Sequence, residues 1–215
     1  MPYAYPTREV IADGTVHVLG LVAAVIAAIL LIAHLGEFGS GRTFAGVSIY
    51  AGFLLFALVA SAAYHLLPWE RSRPLLHKID HAAIYLKIAG TYTPLVVMVG
   101  SVFSYVVLGA VWLIALIGAW ARLRFWSPST GRSLPLYLGL GWASLLLIYP
   151  MALVLPLWSM ILIAIGGLLY TVGAVLYTFK RLRFENAIWH SFVLTASGCF
   201  FSAIALAATA EPPAF

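Results

Sequence analysis

The chain has 215 residues, of which 63% are hydrophobic and only 9% are charged. An ordinary soluble domain carries roughly 25% charged residues, so this sequence has too few polar side chains to cover a water-facing surface, as its mean hydropathy of +1.02 also indicates. A soluble enzyme and a disordered chain are therefore excluded, and the single cysteine excludes a disulfide-stabilised scaffold. The remaining class is an integral membrane protein.

Seven stretches are apolar and long enough to cross a bilayer as helices, which takes about 20 residues each. The predicted spans, in chain order, are residues 16–35, 44–67, 81–99, 101–121, 134–155, 158–179 and 187–210. Spans three and four meet at Gly100 and must form a tight hairpin, and Pro150 and Pro156 are expected to bend or stop the fifth span. The predicted fold class is all-α: one seven-helix transmembrane domain over residues 1–215, in which 1–15 form a tail.

Basic residues orient the predicted bundle. With seven spans, the N-terminal tail and the loops after spans two, four and six share one side of the membrane. That side carries ten cations: Arg8, Arg71, Arg73, Lys78, Arg122, Arg124, Arg132, Lys180, Arg181 and Arg183. The opposite side carries Arg42, and Lys87 lies inside span three. The positive-inside rule then predicts a cytoplasmic N-terminus and an external C-terminus. The net charge of +5 belongs to short loops at a lipid surface, which indicates membrane lipids and no nucleic acid as partners.

Polar side chains cluster at one end of four predicted spans. They are Glu9, Asp13 and His17 on span one, Ser61 and His65 on span two, Asp80, His81 and Lys87 on span three, and Glu185, Asn186 and His190 on span seven. Four-residue spacing places such side chains on one helix face, and the topology brings all four groups to the cytoplasmic boundary. Taken singly, Asp13 and Asp80 read as helix N-caps and Lys87 as a snorkelling residue. Together, their shared depth favours a functional site.

The chemistry that suits these groups is a metal site. Neutral imidazoles bind zinc well, and catalytic zinc usually keeps three protein ligands and one open position. His65 and His190 are the best ligand candidates, because they come from different helices at matching depth. Asp80 is positioned to hold or deprotonate a water molecule, and Ser61, one turn from His65, to support a ligand or an oxyanion.

Four segments resemble the haemolysin III family, the bacterial branch of the progestin and adipoQ receptor families. They read EVIADGTVH (9–17), SAAYH (61–65), KIDHAAIYLKIAGTYTPL (78–95) and NAIWHSFVL (186–194). The resemblance implies a seven-helix protein of the bacterial plasma membrane, with a zinc site built from Ser61, His65, Asp80 and His190. Asn186 stands where the family has another ligand histidine. The residues that remain as additional ligands or supporting groups are His17, Asp13, Glu9, Glu185, Asn186, His81 and Lys87.

Two classes of function follow from these observations. The first is a zinc-dependent hydrolase of a membrane lipid amide or ester, in which Asp80 would steer the water and Ser61 would stabilise the oxyanion. The alternative is a non-enzymatic membrane protein, either a pore-forming cytolysin or a sensor of membrane state. Within the spans, Lys87 is the single charge suited to lining a pore.

Overall fold

A computed structural model describes residues 6–125, 133–179 and 182–210, and these residues form helices and no strand. Residues 1–5 of the predicted tail and three of the cations used for orientation, Arg132, Lys180 and Arg181, lie outside the described residues. The α-helices are α1 (Thr7–Phe38), α2 (Gly41–Leu66), α3 (Arg73–Val99), α4 (Val102–Arg124), α5 (Ser133–Trp142), α6 (Ile148–Val154), α7 (Leu157–Tyr177) and α8 (Glu185–Thr209).

Seven spans are confirmed within the described part of the chain. Six are single helices, and the fifth, Leu134–Val154, consists of α5, a 3₁₀ segment (Ala143–Leu147) and α6. Large apolar side chains such as Leu113, Ile114 and Leu116 are exposed on the outer surface of the bundle. A water-soluble protein could not expose so much apolar surface, whereas a lipid-facing surface requires it.

Helix α3 is the centre of the bundle. It packs against α2, α4 and the broken fifth span, while α1 packs on α2 and α8, and α8 packs on α7. Small residues let its neighbours approach, including Ala82, Ala83 and Ala89, all of them buried. Small side chains at helix contacts are the usual means of close packing in membranes, where lipid and protein interior are equally apolar.

The third and fourth spans form the predicted hairpin at Gly100. Gly100 ends α3 in the left-handed conformation, with a φ of 69°, which glycine adopts without steric cost. Ser101 then caps α4, because its side chain accepts a hydrogen bond from the main-chain N–H of Ser104 at 3.1 Å.

The fifth span is interrupted one turn before Pro150, as the two prolines predict. Proline has no N–H to donate and its ring crowds the carbonyl four residues earlier, and the 3₁₀ segment Ala143–Leu147 lies at that point. The hydroxyl of Tyr92 donates to the carbonyl oxygens of Leu140 and Gly141, each at 2.9 Å. Tyr92 on α3 thus provides main-chain carbonyl groups of the broken helix with a hydrogen-bond donor. Lipid could not provide one.

Two helices begin earlier than their apolar runs suggest, and this changes the setting of several polar residues. Helix α1 begins at Thr7 and α3 at Arg73. Asp13 and Asp80 therefore lie within helices, and their interpretation as N-caps is wrong. Arg122 lies in the last turn of α4 and is 2% exposed, so it is an interior charge rather than a loop charge at the lipid surface.

Candidate metal centre

Three side chains from three helices converge at one end of the bundle: Asp13 of α1, His65 of α2 and His190 of α8. One ligand atom of each lies within 4.8 Å of those of the other two. The Nδ1 atom of His190 is 2.6 Å from Oδ1 of Asp13, and Nδ1 of His65 is 3.4 Å from Oδ2. The carboxylate thus bridges two imidazoles, and the three side chains are only 8%, 15% and 9% exposed, respectively.

Close packing of α1 on α8 brings Asp13 to His190. A methyl group added at Gly20 would lie 2.7 Å from Cδ1 of Leu194, a distance at which atoms clash. Gly20 lies seven residues after Asp13 and Leu194 lies four after His190, so this contact lies within about two turns of the site. His65 completes the group from the last turn of α2.

His17 and Ser61 form a hydrogen-bonded layer beside these three residues. Nδ1 of His17 donates to the main-chain carbonyl of Asp13 at 2.9 Å, which leaves Nε2 to accept from the Ser61 hydroxyl at 3.2 Å. The Ser61 oxygen also lies 3.4 Å from Nε2 of His190. The His17 ring contacts that of His190, with centroids 4.2 Å apart. His17 and Ser61 therefore hold the ring of His190 on the side away from the carboxylate.

Asp80 forms a separate pair with its neighbour on α3. Its Oδ2 atom lies 3.4 Å from Nδ1 of His81, and the side chain is buried. The His81 ring lies against that of His77, with centroids 4.2 Å apart. Asp80 and His81 line the same cavity as Asp13, His65 and His190, but in the described residues they are not members of the close group of ligand atoms.

A cavity of about 780 Å³ connects these groups to the interior of the bundle. Its walls are mainly apolar. All seven spans contribute to them, and the only contribution of α4 among the described residues is Arg122. Tyr64, Arg73 and Arg122 lie on its wall together with three acidic residues, Glu9, Asp13 and Asp80, and Lys87 lines it farther along α3. The enclosed polar groups and the apolar walls suit a ligand that has a polar head and a hydrocarbon chain.

The structure thus brings together some of the predicted site residues and not others. His65, His190 and Ser61 lie together, and Asp13, named in the sequence analysis only as an additional ligand, lies between the two histidines. Besides His17, Ser61 and Asp80, four further predicted candidates line the cavity but are not members of the close group in the described chain: Glu9, Asn186, His81 and Lys87. Glu185 begins α8 and is not a member either.

Three of the residues that line the cavity, His77, Tyr170 and Arg122, were not among the predicted site residues. His77 resembled a loop residue, because the helix preceding the apolar run of span three was not expected. Tyr170 is one of eleven tyrosines and has no spacing relation to a titratable residue. Arg122 was counted with the basic loops.

Comparison with known proteins agrees with this architecture. The family model described as Haemolysin-III related matches residues 6–201. The chain belongs to the haemolysin III family. The hemolysin-3 homolog of Bacillus subtilis (strain 168) is 31% identical over 198 residues, covering 92% of this chain and 93% of that protein. Hemolysin-3 of Bacillus cereus is 31% identical over 195 residues, covering 90% and 89%.

A more distant relative is the human monocyte to macrophage differentiation factor, which is 28% identical over 164 residues. That alignment covers 73% of this chain and 67% of the human protein. The family resemblance predicted from the four segments is therefore confirmed, and so is the class of a multi-pass bacterial plasma-membrane protein. All three candidate metal ligands, Asp13, His65 and His190, lie in the segments that resemble the haemolysin III family.

Proposed function

We propose that this haemolysin III protein binds zinc through Asp13, His65 and His190 and hydrolyses an acyl amide or ester bond of a membrane lipid. The observation that carries the proposal is the convergence of these three ligand atoms within 4.8 Å on the wall of a lipid-sized cavity. One carboxylate and two imidazoles are a donor set typical of catalytic zinc sites, which leave one position open.

The donor set of one carboxylate and two imidazoles suits zinc. Zinc–nitrogen and zinc–oxygen bonds are about 2.0–2.2 Å long, so ligand atoms already within 4.8 Å need only small side-chain shifts to close on an ion. Two histidines and a carboxylate also suit ferrous iron, and this alternative is an outcome of the metal analysis below. When bound, zinc acts as a Lewis acid that polarises a carbonyl group and activates water.

The chain's own residues supply the remaining steps of this mechanism. Ser61, held between His17 and His190, would turn its single hydroxyl proton from Nε2 of His17 to the oxygen on which charge develops. Asp80 is buried on the wall of the same cavity, where it would accept a hydrogen bond from the attacking water, take its proton and pass that proton to the leaving amine or alcohol. The apolar walls hold the acyl chain of the lipid so that its carbonyl group reaches the ligand residues.

Metal content and lipid turnover test the proposal on the purified full-length protein. We expect about one zinc per chain and release of fatty acid from lipids that carry acyl amide or ester bonds. His65→Ala and His190→Ala should lose both. His34→Ala is the matched control, because His34 is an exposed histidine at the far end of α1 and should change neither.

Asp80→Asn separates metal binding from catalysis. It should keep the zinc and lose most of the turnover, since general acid–base groups typically contribute 10²–10⁴-fold. Stoichiometric iron instead of zinc would correct the identity of the metal. Wild-type protein without stoichiometric metal, or unchanged lipid turnover in His65→Ala, would rule out the proposed reaction.

The relatives named hemolysin-3 favour a second function, permeabilisation of membranes. Its requirement is an aqueous path through the bundle, and Lys87 on the cavity wall is the charged residue placed to line it. Liposomes that contain the protein and a trapped dye distinguish the two functions. Leakage that depends on the protein and disappears in Lys87→Ala would favour a pore, whereas intact liposomes would favour the enzyme.

A further inference from the structure

Lys87 is a buried cation in the middle of a membrane-spanning helix. It lies seven residues after Asp80, where the predicted third span begins, and twelve before Val99, so about 10 Å and about 18 Å of helix separate it from the two membrane boundaries. The four-carbon stem of lysine is shorter than either distance. Lys87 is only 8% exposed, and snorkelling to the membrane surface is therefore excluded.

Neutral groups hold the ammonium in place. Nζ of Lys87 donates to the hydroxyl of Tyr170 at 2.8 Å and lies 4.7 Å from the centre of that ring. The Tyr170 hydroxyl donates to Ser197 at 2.7 Å, and Ser197 donates to the main-chain carbonyl of Val193 at 2.7 Å. The chain of hydrogen bonds runs outward from the ammonium and consumes one of its three N–H groups.

No acidic side chain in the described parts of the chain forms an ion pair with Lys87. A buried ammonium without a counter-ion is costly, because its charge is removed from water and not compensated. Lys87 and Tyr170 both line the cavity described above. A counter-ion for the ammonium can therefore arrive through the cavity as part of a ligand.

The position of Lys87 relative to the metal centre defines what such a ligand must look like. Lys87 lies seven residues after Asp80 on α3, and Ser197 lies seven after His190 on α8, which corresponds to about 10 Å on each helix. These helices are the third and seventh spans and run in the same direction. Lys87 and Ser197 therefore lie about 10 Å deeper in the membrane than Asp80 and His190, in the apolar part of the same cavity.

From this geometry we propose that Lys87, Tyr170 and Ser197 form an anion-binding subsite for the carboxylate of a long-chain amphiphile. A carboxylate carries one charge, which matches the single ammonium, and its two oxygens match the two remaining N–H donors. A doubly charged phosphate monoester would leave excess negative charge in an apolar environment. The apolar walls of the cavity take the hydrocarbon chain.

Binding of a radiolabelled fatty acid and of the alcohol of equal chain length tests the subsite. The full-length protein is reconstituted in phosphatidylcholine nanodiscs, and retained palmitate is compared with retained hexadecanol. We expect palmitate to bind roughly tenfold or more tightly than hexadecanol, because a charge-assisted hydrogen bond distinguishes the two ligands. Lys87→Met should abolish this preference and leave hexadecanol binding unchanged, and Lys87→Arg should retain it.

Two further variants make the experiment decisive. Arg42→Met removes a cation that does not line the cavity and should bind palmitate like the wild type. His65→Ala disrupts the metal centre and should retain the palmitate preference, since the subsite does not depend on a metal. Equal binding of palmitate and hexadecanol by the wild type would overturn the inference, as would a preference retained in folded Lys87→Met.

Loss of the preference in His65→Ala would also overturn the inference, because it would place the carboxylate at the metal centre. Metal analysis of the same samples reports on the metal centre separately. The proposed zinc site and the proposed carboxylate subsite are therefore tested separately, and a negative result for one does not overturn the other. Thermal unfolding of each variant, followed by size-exclusion chromatography, shows which variants are folded.

Discussion

Asp13 and Asn186 differ in what they offer to a metal ion. The family resemblance places a ligand histidine at position 186, one turn before His190, and this chain has an amide there. Amides are poor ligands for zinc, whereas a carboxylate is a good one. Asp13 reaches Nδ1 of His190 at 2.6 Å from the neighbouring helix α1. Asp13, His65 and His190 could therefore hold a metal ion as a set of three ligands, with the third ligand supplied by α1 instead of α8.

Exchange of the third ligand between the two positions is the prediction at the scale of single residues. Asp13→Ala should lower zinc affinity by at least about tenfold, the minimum effect typical of perturbing a metal site. Adding Asn186→His to Asp13→Ala should restore much of the affinity, because the new imidazole stands one helical turn from His190. Competition with a chelator of known affinity measures each variant.

Asn186→Ala is the control for this exchange. It should bind zinc like the wild type, since the amide is not one of the three ligands. A large loss of zinc in Asn186→Ala would place the amide in the coordination sphere. Unchanged affinity in Asp13→Ala would show that the carboxylate only orients His190.

At the scale of helices, the position of His190 depends on how α8 packs against α7. Gly173 of α7 faces α8, where an added methyl group would lie 2.7 Å from Cβ of Phe192. A Cβ atom cannot rotate away, so the helices themselves would have to separate. Gly167 on the same helix has open space at the corresponding position, with no atom within 4 Å.

These two glycines give a matched pair of substitutions. Gly173→Ala should destabilise the protein by about 1–3 kcal/mol, the usual cost of overpacking, and should loosen metal binding because α8 carries His190. Gly167→Ala should be neutral or stabilising by up to about 1 kcal/mol, since alanine is the better helix former. Thermal unfolding in detergent measures both, and equal effects of the two substitutions would show that the α7–α8 contact is not tight.

The sequence predicted the positions of the helices along the chain better than it predicted which face of each helix turns inward. Apolar runs set the seven spans, and Gly100 and Pro150 set the hairpin and the break, because those residue types act on the local backbone. The starts of α1 and α3 were missed, since their first turns carry charged residues that lower the hydropathy of the segment. A helix can continue through such residues once it leaves the hydrocarbon core, where charges meet headgroups and water.

At the scale of the whole molecule, the depth of the site could be predicted but its exact membership could not. Depth follows from topology, which brings His65 and His190 to the same end of the bundle. Membership depends on which face of each helix turns inward, and in a membrane protein both faces are apolar. Four-residue spacing therefore grouped Asp13 with His17 correctly but could not show that Asp13, and not Asp80, lies between the two histidines.

Orientation in the membrane is the prediction that concerns the molecule as a whole. The sequence places ten cations on the predicted cytoplasmic side and one on the other side, and the burial of Arg122 removes one loop charge without reversing this imbalance. The end of the bundle that carries the metal centre should therefore face the cytoplasm. The single native cysteine, Cys199, allows a direct test, because Cys199→Ser leaves a background without thiols.

In that background, Gly41→Cys places a thiol at the exposed first residue of α2, next to the connection from α1, where an added side chain meets no neighbouring atom. Glu70→Cys places one in the exposed connection between α2 and α3, at the opposite end of the bundle. A membrane-impermeant maleimide should label Gly41→Cys in intact cells and Glu70→Cys only after the membrane is opened. The reverse pattern would place the metal centre on the outer face and would require substrate to arrive from the outer leaflet.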